Sequence, residues 1–149
     1  MSMQSRSNID NRAFILSGMT FVKEAETIIQ DAGRTAVLKF GTLMAKIAAS
    51  GKWTPFINEA ATNGTAHPQG IYVGDELTAA KIVAGDVLNC PILVGGVCTI
   101  DSGQLTIEAS KTLATVITVG TTDLRTVEDH LQTKGIFVES TVDAAGIEN

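Results

Sequence analysis

Residues 40–56, FGTLMAKIAASGKWTPF, constrain the fold more than any other stretch, because their apolar positions admit two readings and only one accommodates the turn residues. Phe40, Leu43, Met44 and Ile47 sit at helical spacing, but Gly41-Thr42 near the start and Ser50-Gly51 at the end leave that helix about two turns, marginal in water. Read as strands, Leu43, Ala45, Ile47 and Ala49 share one face and Thr42, Met44, Lys46 and Ala48 the other. The chain then turns at Ser50-Gly51 into 52–57, where Pro55 lacks a ladder donor and belongs at an edge or a strand end.

The remaining segments point the same way. Residues 70–73 (GIYV) read as a short strand, and 87–100 are the most apolar run, a buried strand with a Gly95-Gly96 bend or a tight hairpin. Residues 104–108 and 112–119 supply two Thr/Ile/Val-rich strands, and 136–141 another. Residues 58–68 are a loop with a tight turn at Asn63-Gly64, and 76–86 are expected to be mostly loop. One helix is predicted: Asp123 as N-cap, Leu124, Val127 and Leu131 as the buried stripe, and Gly135 as the stop. Residues 21–29 fit either a helix face or, over 26–30, a strand.

With 149 residues, 44% of them hydrophobic and 18% charged, the chain suits one domain with a Val, Ile, Leu and Ala core. The predicted architecture is mainly β: a small β-barrel or sandwich-like domain over 23–142, with one helix in its C-terminal region. An extended, flexible N-terminal arm spans 1–22 and a polar tail 143–149.

A net charge of −5 with scattered Lys and Arg argues against direct nucleic-acid contact. No run approaches the roughly 20 apolar residues of a membrane helix, and the N-terminus has no secretory pattern, so a soluble, cytoplasmically made protein is expected. Cys90 and Cys98 cannot pair whether they share one strand or flank a hairpin, and read as small buried hydrophobes. His67 and His130 have neither metal spacing nor a nucleophile beside them, and no cofactor or metal is predicted. Asp75, Glu76 and Asp101 form the only carboxylate set worth weighing as catalytic. Glu128-Asp129 suit a helix N-terminus instead, and the shortage of catalytic parts points away from an enzyme.

Several fragments, in order, carry a resemblance: Gly41-Thr42-Leu43-Met44-Ala45-Lys46-Ile47, Ala49-Ser50-Gly51-Lys52-Trp53, Gly70-Ile71-Tyr72-Val73, and the Gly85-Asp86 turn into Pro91-Ile92-Leu93-Val94. Together they resemble the lambda-like head decoration proteins of tailed bacteriophages, which stabilise the capsid. Residues 125–131 and 134–138 are similar to the helix-strand ending of longer members. Ala45 stands where that family usually has Gly, and Gly95-Gly96 interrupts its valine-rich strand.

The resemblance implies a strand rather than a helix over 26–30. It also implies a homotrimer on the outer surface of the expanded head, at threefold and quasi-threefold positions, with the major capsid protein as partner. The arm would order on docking, and its apolar residues Ala13, Phe14, Ile15, Leu16, Met19, Phe21 and Val22 are the expected capsid-binding set. Trp53, Pro55 and Phe56 are expected to pack the core or the trimer contact. An alternative is a head-displayed module binding host surface or glycan, with Trp53, Tyr72 and Phe56 as stacking aromatics.

Overall fold

The computed structural model describes residues 14–57, 62–108, 110–118 and 124–140. Six strands form one mixed sheet: β1 (Ile15–Ile28), β2 (Leu43–Lys46), β3 (Trp53–Pro55), β4 (Gly70–Tyr72), β5 (Val87–Asp101) and β6 (Ile136–Glu139). Their order is β1-β3-β2-β4-β5-β6, and β1 also pairs with β5, so the first five close a ring with β6 added on the flank of β5. This is the β-rich small domain that the sequence predicts. The 15-residue β5 is its spine: β1 runs antiparallel along one edge, while β4 and then β6 occupy the other.

The 40–56 stretch is a hairpin. Met44 faces Pro55, Ala45 faces Thr54 and Lys46 faces Trp53. The turn closes through the Ile47 N–H donating to the Lys52 carbonyl at 2.8 Å, with Gly51 at φ +71° where an L side chain would be strained. Its mixed periodicity has a physical cause, since β2 is buried on both faces. Leu43 and Ala45 join a core with Phe14, Phe56, Ile71, Leu93, Ile100, Leu131 and Ile136. Met44 enters a second core with Ile28, Leu38, Trp53, Tyr72, Ile82 and Ile92. Pro55 lies at the strand end, beyond the Ile28–Trp53 pairing that joins β3 to β1.

The largest difference from the sequence reading is at the N-terminus. Residues 15–22, expected in a flexible arm, are the first half of β1 and pair with β5 from Ile100 to Leu93, with irregularities between Ile15 and Ser17 and between Phe21 and Val22. Phe14 is 1% exposed and meets Phe40 edge-on, with ring centroids 4.9 Å apart. Residues 14–22 therefore belong to the folded domain, and the helical option for 21–29 is excluded. The short apolar blocks looked too small for a core element because few of their residues are shielded: Ser17 to Phe21 are all exposed, and only Phe14, Ile15, Leu16 and Val22 are buried or half-buried.

Other elements shift for local reasons. Residues 79–84, expected in a loop, form helix α1 (Ala79–Ala84), capped by Thr78, whose hydroxyl accepts from the Lys81 N–H at 3.3 Å. Only Ile82 of α1 is buried, so no apolar stripe announces it. The predicted C-terminal helix is α2 (Val127–Gln132), with Val127 and Leu131 buried as expected. It starts at Thr126, which forms a reciprocal capping box with Asp129. Asp123 lies outside the described residues, and Leu124 is 60% exposed in the left-handed region at φ +53°.

The strands expected over 104–108 and 112–119 are absent from the described parts of those segments. Single bridges, Thr42 to Thr106 and Val116 to Thr126, stand in their place, after a 3-10 turn at Ser102–Gln104. Segment 102–108 is held by two backbone bonds of Thr106, to the Gly41 carbonyl and from the Leu43 N–H, each 2.9 Å, and by Arg34, which donates to both Glu108 carboxylate oxygens at 2.8 and 2.7 Å. β5 passes through Gly95-Gly96 as one bent strand, not as a hairpin. A Cβ at Gly96, φ +116°, would drive into the Met19 carbonyl oxygen, so the close approach of β1 needs glycine there. The tail 143–149 lies outside the described residues.

Candidate interaction surface

Strand alternation and the β5 spine together build one exposed apolar face. Across the three-stranded section, Ser17, Thr99 and Phe137 lie in one row, and Met19 lies opposite Val97 in the next. Directly paired residues share a face, so these side chains stand on the outer side while Cys98, Ile100 and Ile136 fill the core behind them. Phe21, two residues beyond Met19 and opposite Gly95, continues the same face. Met19 is 79%, Val97 71%, Phe21 58% and Phe137 43% exposed. Glu139 is the one charged side chain on this face from Ser17 to Phe21, Gly95 to Thr99 and Phe137 to Glu139.

The residues expected to bind a partner separate under this geometry. Met19 and Phe21 are on the exposed face. Phe14 is buried, Ile15, Leu16 and Val22 are half-buried, and Ala13 lies outside the described residues. Phe14, Ile15, Thr20 and Val22 instead line an apolar cleft of about 170 Å³, closed behind by Phe40, Val73 and Leu93. Trp53 and Phe56 are core residues of the single chain, at 2% and 0% exposure, and Pro55 is half-buried. The Trp53 indole N–H donates to Glu26 at 2.9 Å, and the Lys46 ammonium lies 5.5 Å over its ring. With Tyr72 also 2% exposed, these three aromatics offer no stacking platform to a glycan.

Val97 and Phe137 are the surface residues that sequence reasoning missed. Val97 sits in the most apolar run of the chain, where every position reads as buried. Its alternation with Cys98 is the signal that separates the faces, and the double glycine obscures it.

Most of the candidate polar groups are engaged in structure, although the buried His67 Nδ1 has no hydrogen-bond partner among the described residues. The Asp101 carboxylate caps the 3-10 turn, accepting from the Gly103 N–H at 3.0 Å. It lies ten residues along β5 from Pro91, roughly 30 Å at strand rise, whereas Asp75 and Glu76 border a cleft at the Pro91 end. The proposed carboxylate set is thus not brought together. Hydrogen bonds from the Thr126 backbone and hydroxyl hold the Asp129 carboxyl below its usual range. Burial pushes both thiols up, leaving Cys90 and Cys98 protonated and poorly nucleophilic. The Tyr72 phenol is pushed up to about 12 by burial, with Cys90 and Asp75 adding to the shift, and donates to the Asp75 carbonyl. The His67 and His130 rings lie against each other, centroids 4.7 Å apart and tilted by 32°, packing the 62–69 loop on α2. No group of three or more His, Cys, Asp or Glu side chains is placed to hold a metal ion among the described residues.

The sequence matches no protein-family model and no curated protein. The arrangement itself favours one kind of chemistry. A partly apolar face with a single charge at its margin gains free energy when another protein surface covers it.

Proposed function

We propose that this protein is a non-enzymatic capsid decoration protein that binds the exterior of an expanded phage head as a homotrimer, at threefold and quasi-threefold sites, and stabilises it. The observation that carries this reading is the exposed Met19, Phe21, Val97 and Phe137 face, which self-association would cover. The ordered resemblance of 41–53, 70–73 and 85–94 to lambda-like decoration proteins supports it as well. Those fragments make β2, β3, β4 and the first half of β5, so the resemblance runs through one contiguous part of the ring.

In this reading the major capsid protein is the partner. Ile15 and Val138 flank Ile100 on either side, so β1 begins and β6 ends at the same rim of the sheet. A protein that binds only the expanded lattice stabilises it by RT ln(1 + [L]/Kd), about 2.7 kcal/mol per site at 100-fold excess over Kd.

The test is co-sedimentation of the full chain with expanded heads and with procapsids. Binding to expanded heads alone is expected, and it should weaken in a Met19→Asp/Phe21→Asp variant, whose altered side chains are solvent-exposed and leave the core intact. Absence of binding to expanded heads would reject the function.

A further inference from the structure

We propose that β6 of one copy pairs antiparallel with β1 of the next, forming a head-to-tail seam that closes a ring of three. The proposal rests on the trimer reading above and names the contact that would build it.

Both edges of the three-stranded section lack a ladder partner among the described residues. The Cys98 N–H donates to the Gly135 carbonyl at 3.0 Å, which sets the phase of the parallel β5–β6 ladder. The regular alternation of a parallel ladder then turns the N–H and C=O of Ile136 and Val138 away from β5. On the opposite side, β1 has β5 along one edge and meets β3 only at Ile28.

Open edges are usually blunted by charge, proline or bulges. β6, IFVE, carries one charge at its end and no proline. β1 is uncharged from Ile15 to Val22, its charges begin at Lys23, and the irregularities that put an extra residue on β1 lie at 15–17 and 23–26, outside the stretch from Ser17 to Lys23. Two such edges on one chain fit each other better than they fit water.

Strand direction agrees with closure. β6 runs with β5 and β1 against it. Rotation about an axis along the strands keeps the direction of β5, so β6 must meet the next β1 antiparallel, the more stable pairing. A contact between two different edges is heterologous and closes as a ring when the rotation allows.

The alternation of faces selects a register. Phe137 opposite Phe21 of the next copy puts two exposed outer-face rings together. The neighbouring rows then bring Ile136 opposite Val22 and Val138 opposite Thr20 on the inner face. Met19 and Val97 of each copy would then face the axis.

The test compares sedimentation velocity of the wild type and Val138→Pro. Proline at 138 removes an outward N–H and leaves the ladder to β5 intact, so circular dichroism should match the wild type. A trimeric wild type whose association weakens at least about tenfold in Val138→Pro is expected. In a second arm, Phe21→Cys/Phe137→Cys should oxidise to a covalent trimer on a non-reducing gel, with neither single variant doing so, and this arm decides if the proline variant misfolds. A monomeric wild type, a trimer unmoved by Val138→Pro, or a double-cysteine variant without intermolecular bonds would overturn the seam. Head binding is scored separately: a trimer insensitive to Val138→Pro that still binds expanded heads rejects the seam and keeps the function.

Discussion

Gly135→Ala tests how β6 is seated. Gly135 has φ +82°, its carbonyl accepts the Cys98 N–H at 3.0 Å, and a Cβ on it would overlap the Gly96 carbonyl oxygen. The left-handed backbone costs a residue with a β-carbon about 1–2 kcal/mol. Relieving the overlap moves the turn away from β5 and loses the Cys98 hydrogen bond, worth about 1 kcal/mol. The sum, about 2–3 kcal/mol, lowers the melting temperature by roughly 4–12 °C for a domain of this size. Gly85→Ala is the matched control. Gly85 sits at φ 168°, ordinary extended backbone, and a Cβ there meets nothing within 4 Å. Its change should stay within about 0.5 kcal/mol, and the reduced freedom of the unfolded chain favours a small gain. Thermal melts of both variants by circular dichroism at one scan rate make the comparison. Melting temperatures within about 2 °C of each other would refute the claim that close backbone packing at Gly96 and Gly135 seats β6.

Glu108→Ala leaves the Arg34 guanidinium, whose side chain is 8% exposed, with only its bonds to the Ala36 and Val37 carbonyls, and should cost about 1–3 kcal/mol in urea unfolding; Arg34→Met/Glu108→Leu should recover most of it. Tyr72 is the only tyrosine, so tyrosinate absorbance should rise near pH 12 in the folded protein and near 10 after unfolding. Because the folded value is the higher, this stabilisation is complete below about pH 10 and is lost as pH rises through about 12. Removing residues 1–22 deletes buried Phe14 and the β1 residues paired with Ile100 to Leu93, so cooperative unfolding in denaturant should be abolished.

The legible parts of the fold were those where one physical signal acted alone. β2 and β3 followed from turn chemistry at Ser50-Gly51, and the second turn of the C-terminal helix from Val127 and Leu131 spaced by four. The start of that helix was misplaced because Asp123 and Thr126 are both good caps, and only the reciprocal bond between Thr126 and Asp129 distinguishes them. α1 was invisible because a six-residue helix burying Ile82 alone has no period to read. The strands expected over 104–108 and 112–119 rested on propensity, which specifies a surface that fits a sheet without supplying a partner. The exposed face was half legible. Met19 and Phe21 stood out as apolar residues near a terminus, while Val97 and Phe137 needed the register of β1, β5 and β6 to be placed beside them.

Moving residues 15–22 from an arm into β1 changes the energetics expected of docking. As a mobile segment, these residues would each lose about 1–2 kcal/mol of backbone freedom on binding a shell. In β1 that ordering accompanies folding, so it no longer opposes association. On the proposed function, the capsid then meets a rigid trimer rather than three long flexible arms. Joining three weak sites on one rigid body raises their effective concentration only where the spacing of the shell matches that of the trimer. A rigid trimer therefore reads lattice spacing more sharply than a flexible one would. A head whose three sites are not yet at their expanded positions would engage one protomer at a time and lose the gain from the other two.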